Sequence, residues 1–63
     1  MCLSTVYKNA KTPDAIAMKN VMSIECKDGY VILTDLMERP MAIEGQLVSA
    51  NLVDGYVIVK ETA

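Results

Sequence analysis

Asp28-Gly29-Tyr30-Val31-Ile32 recurs twenty-six positions later as Asp54-Gly55-Tyr56-Val57-Ile58. Asp-Gly between two apolar runs is a strong hairpin signal, because a type I′ turn needs positive φ at both central positions. Val21 to Lys27 precedes the first copy and Leu47 to Val53 precedes the second. The β-branched runs Tyr30 to Leu36 and Tyr56 to Lys60 follow them. Two β-hairpins are therefore expected, whether the repeat reflects duplication or convergence on the same turn chemistry.

Working outward, Leu3 to Lys8 carries Val, Tyr and Thr and reads as an N-terminal strand. Pro40 to Glu44 reads as a short strand with Pro at its start, and Glu44-Gly45 as a break before Leu47. Asn9 to Asn20 reads as a loop with a short irregular element, in which Thr12-Pro13-Asp14 caps one helical turn, while Ala15 to Met18 suit an edge strand equally well. Alternation places Met22, Ile24 and Cys26 on one face of their strand, and Val21, Ser23, Glu25 and Lys27 on the other. Val31 to Leu33 and Val57 to Val59 run without a polar break, the pattern of strands covered on both sides. The expected fold is all-β: five or six antiparallel strands curled into a small barrel, as a single domain over residues 1–63.

The composition bounds what such a barrel can do. Hydrophobic residues make up 52% of 63 residues, but with three Tyr and no Phe or Trp the core must be aliphatic. So short a chain buries only about 60% of its unfolded surface and folds marginally alone, which points to oligomerisation. There is no His, which removes Ser-His-Asp and Cys-His catalysis and imidazole-ligated metal sites. No enzyme activity is expected. Six basic residues spread among eight acidic ones give a net charge of −2, the opposite of a nucleic-acid footprint. No apolar run approaches a membrane span and no signal peptide is visible, so a cytoplasmic protein with reduced thiols is expected.

The two cysteines read differently. Cys26 shares its expected face with Met22 and Ile24 and reads as a small core residue. Cys2 is the second residue. Once Met1 is removed, its α-amine and thiol form a five-membered chelate, and the amide nitrogen of Leu3 can join when deprotonated. Nitrogen and thiolate donors in a square plane suit Ni(II) or Cu(II). A two-fold dimer would bring two such termini together. The alternative is a partly buried terminal thiol with no ligand role.

The opening Met1-Cys2-Leu3-Ser4-Thr5-Val6-Tyr7 resembles the CooT family, as do Val21 to Glu25, Leu33 to Leu36 and Ile43 to Gly45. The resemblance implies an SH3-like β-barrel, a homodimer, and Ni(II) held at the dimer interface by Cys2 of both chains. It implies a nickel chaperone or buffer serving an enzyme such as carbon monoxide dehydrogenase, with that enzyme or its maturation proteins as partners. Two other readings stand beside it. One is an RNA-binding module that stacks bases on Tyr7, Tyr30 and Tyr56. The other is a metal-free protein-interaction domain with an apolar outer face.

Overall fold

The computed structural model describes residues 3–62. Its strands are β1 (Ser4–Lys8), β2 (Ile16–Lys27), β3 (Tyr30–Asp35), β4 (Pro40–Asn51) and β5 (Tyr56–Glu61), with a 3-10 turn at Pro13–Ala15. They close into one ring in the order β1-β2-β3-β4-β5, so the all-β barrel expectation holds. Four seams are antiparallel, but β1 and β5 run parallel, from Thr5 beside Tyr56 to Lys8 beside Val59. An odd number of strands makes this unavoidable. Direction alternates along the chain, so the first and fifth strands must point the same way when they meet.

The two copies of the repeat build different turns. At the first, Asp28 (φ 52°) and Gly29 (φ 83°) are both left-handed, as a two-residue type I′ hairpin between Lys27 and Tyr30 requires. At the second, only Gly55 is left-handed (φ 77°), and four residues, 52–55, join Asn51 to Tyr56. The difference lies at Asn51. Its side-chain oxygen accepts from the amides of Val53 (3.1 Å) and Asp54 (2.9 Å), and its carbonyl accepts from Gly55 (2.9 Å). The first copy has Glu25 at the matching position, whose longer side chain does not favour that local turn.

Two long strands turn the corners of the ring. β2 pairs with β1 as far as Val21 and with β3 from there to Lys27. Positive φ at Asn20 (56°) and a bulge between Val21 and Ser23 bend it there. The bulge resets the alternation. Val21 (4% exposed) and Ile24 both face the core, while Met22 is 45% exposed, against the expected faces. Cys26, expected in the core, is exposed. Beyond Val21 the strand has only β3 beside it, so its end outruns the barrel. The expected loop ends at Ala15, because Ile16 to Asn20 belong to β2, with Ala17 and Met18 packed against the core.

β4 is the second corner strand. Pro40 to Glu44 pair with β3, and Gly45 to Asn51 pair with β5. Gly45 was expected to break the chain into two strands, yet it lies inside one. A Cβ there would overlap the Lys60 carbonyl oxygen, so glycine permits β5 to cross closely. The core inside the ring is Val6, Val21, Val31, Leu33, Ile43, Val57 and Val59. Ile32 and Ile58, the middle residues of the two apolar runs, face outward and are only half-buried.

One charged side chain is buried with this core. Asp35 (4% exposed) closes the β3–β4 turn by accepting from the amides of Met37 (2.9 Å) and Arg39 (3.0 Å) and from Arg39 Nε (2.8 Å). The Arg39 amide foremost, then its guanidinium, hold the carboxyl below the usual carboxylate range, against the opposing pull of burial.

Gly45→Ala should cost at least about 2 kcal/mol in a urea melt. Gly29→Ala, in open space but left-handed, should cost about 1 kcal/mol. Equal costs would contradict the close crossing. Because folding lowers the Asp35 pKa, its contribution is present above the unfolded-state value and is lost as pH falls through the folded-state value. Asp35→Asn should therefore lower stability at neutral pH and flatten its decline in acid, as read from melting temperature against pH.

Candidate functional site

Cys2 lies outside the described residues, so the structure bears on it through its neighbours. Leu3 is half-buried and leads directly into β1. Its carbonyl oxygen stands 3.6 Å from the point a Cβ on Gly55 would occupy. The Thr5 amide donates to the Gly55 carbonyl at 2.9 Å, and Ser4 pairs with Val21. The entry to β1 is thus fixed between the corner of β2 and the 52–55 turn.

The ring gapes beside this point. β2 beyond Val21 pairs only with β3, and β4 beyond Gly45 pairs only with β5, so the two strand ends do not meet. A cleft of about 280 Å³ lies between them, lined by Ser4, Met22, Ile24, Leu47 and Leu52 among others, with no charged side chain. The 52–55 turn carries Leu52 (76% exposed) and Val53 (93% exposed). Its charged residue, Asp54, accepts from the Asn51 side-chain amide at 3.1 Å. A strand was expected through Val53; because Asn51 ends it early, two large apolar residues are left on a turn.

Cys26 lies elsewhere, in a hollow with Lys27, Asp28, Gly45 and Leu47 near the first hairpin. Among the described residues, no three or more His, Cys, Asp or Glu come together in a way that could hold a metal ion. Nor do the three tyrosines form one stacking platform. Val6 and Val57 pair inside the ring, so Tyr7 and Tyr56 share the outer face of β1 and β5. Tyr30 opens β3, which pairs with neither strand. Lys11 covers the Tyr56 ring at 4.3 Å, and Lys8 is matched by Glu61 at 3.8 Å.

No described helix is long and apolar enough to cross a membrane. No curated protein matches the chain. The family model described as CO dehydrogenase accessory protein CooT matches residues 1–60, a span that includes Cys2. With nearly the whole barrel inside that match, the chain belongs to the CooT family, and its role is that of an accessory to CO dehydrogenase.

Proposed function

We propose that this chain is a homodimeric nickel-binding protein that buffers Ni(II) or delivers it to a nickel enzyme such as CO dehydrogenase. The metal is cargo, and the chain acts as an accessory rather than as a catalyst. Cys2 of each chain supplies a thiolate. When Met1 is removed, its α-amine adds a nitrogen, and the Leu3 backbone nitrogen is a further donor. Such nitrogen–thiolate sets suit square-planar Ni(II). The reading places the protein in the cytoplasm, where both thiols stay reduced.

The observation that carries the proposal is the family match beginning at residue 1, on a chain with no His. The rest of the molecule is consistent with it. Cys26, the other thiol, belongs to no ligand cluster among the described residues. Leu3 stands on the rim of the barrel beside an open cleft, a position from which a terminal ligand can meet a second chain. A terminal site also suits delivery, since cargo held at the surface can be passed on without opening the core.

Binding releases the thiol proton, and the amide proton where that nitrogen ligates, so affinity should fall as the solution is acidified. In a nickel titration followed by the sulfur-to-nickel charge-transfer band, Cys2→Ser should abolish the band and weaken binding by at least about a hundredfold. Cys26→Ser should bind as the parent does. Unchanged affinity and absorption in Cys2→Ser would refute the proposal.

A further inference from the structure

Each copy of the Asp-Gly repeat uses its glycine carbonyl to hold a neighbouring strand. The Gly29 carbonyl accepts from the Gly45 amide of β4 at 3.0 Å, and the Gly55 carbonyl accepts from the Thr5 amide of β1 at 2.9 Å. Only the second copy acts on the start of the chain. It is also the copy whose turn departs from the two-residue form, through Asn51.

On its other side β1 is held less regularly. Its register with β2 shifts between Ser4 and Val6 and again between Val6 and Tyr7. Its register with β5 is unbroken from Thr5 beside Tyr56 to Lys8 beside Val59. The point where Leu3 enters the barrel is therefore set by β5 and the turn before it. Leu52, Val53 and Asp54 are all exposed, so no buried side chain of theirs holds that turn. Its shape comes from Asn51. The Asn51 Oδ1 takes two amides, its Nδ2 donates to Asp54, and its carbonyl takes the Gly55 amide. From Gly55 the contacts continue to the Thr5 amide and to the Leu3 carbonyl, 3.6 Å from where a Cβ on Gly55 would stand. Leu3 is the residue bonded to Cys2.

We infer that Asn51 and Gly55 are positioning residues for the nickel-binding start of the chain. Asn51 shapes the turn, and Gly55 fixes where Leu3, and with it the donor set, leaves the barrel. Neither is a ligand. The inference rests on the nickel reading of Cys2 and adds the part of the fold that aims it. A start held this close to its donors has less freedom to lose when a chelate closes. Groups that orient metal ligands from behind are typically worth about ten- to a hundredfold in affinity.

The repeat supplies its own control. Gly29→Ala and Gly55→Ala each place a side chain at a left-handed position of the same pentapeptide, φ 83° and 77°. They should lower the urea midpoint by similar amounts. In a nickel titration Gly55→Ala and Asn51→Ala should weaken binding about tenfold and move the sulfur-to-nickel charge-transfer band. Gly29→Ala should match the parent in both. Asn51→Asp keeps the oxygen that accepts both amides and, with salt to screen Asp54, should recover most of the affinity. Parent-like affinity and absorption in Asn51→Ala and Gly55→Ala, or an equal loss in Gly29→Ala, would overturn the assignment. The two failures are distinct. Nickel lost with Cys2→Ser but untouched by the turn variants overturns this inference alone, whereas nickel held by Cys2→Ser as by the parent removes the nickel reading and this inference with it.

Discussion

The parallel seam between β1 and β5 is the constraint on which the remaining structure depends. Val6 and Val57 meet across it, both buried, and it joins the two ends of the chain's strand sequence. Without it β1 and β5 would be open edges. Every strand of the ring has two neighbours, but β2 and β4 meet theirs with successive segments, changing partner at Val21 and at Gly45. Both must therefore bend. β2 does so through Asn20 and the bulge at Met22, and β4 where pairing passes from β3 to β5 at Gly45. The gap between their far ends is a consequence of the same closure.

That gap connects fold to function. The ring is filled by Val, Leu and Ile, and among the described residues no three His, Cys, Asp or Glu come together in a way that could hold a metal ion. The entry to β1 is on the rim, fixed to the 52–55 turn by the Thr5–Gly55 hydrogen bond and bordered by uncharged surface.

Much of this was legible in the residues. The Asp-Gly repeat located both hairpins, and the two apolar runs contributed four of the seven core residues, Val31, Leu33, Val57 and Val59. What failed to read correctly were the places where period two is interrupted and the strand end that outruns its neighbour. The bulge at Met22 moved Val21 inward and Met22 outward, which no strict alternation can show. Gly45 looked like a break because glycine is common at breaks; its reason for being there is the passage of Lys60, a residue fifteen positions away. Asn51 redirected the second turn from outside the repeated pentapeptide, a local Asx signal that the repeat itself concealed. Cys26 had the correct parity for the core and was exposed because its strand extends past its neighbour. Cys2 lies outside the described residues, while the apolar turn beside Leu3 depended on where β4 stops.

The central claim is that one nickel ion is held between the starts of two chains. Native mass spectrometry of the intact protein, with and without Ni(II), tests it most directly, because it counts chains and metal in one species and shows whether Met1 remains. The account predicts a species of two chains with one nickel ion. Single chains each carrying their own nickel, or dimers that retain none, would contradict it.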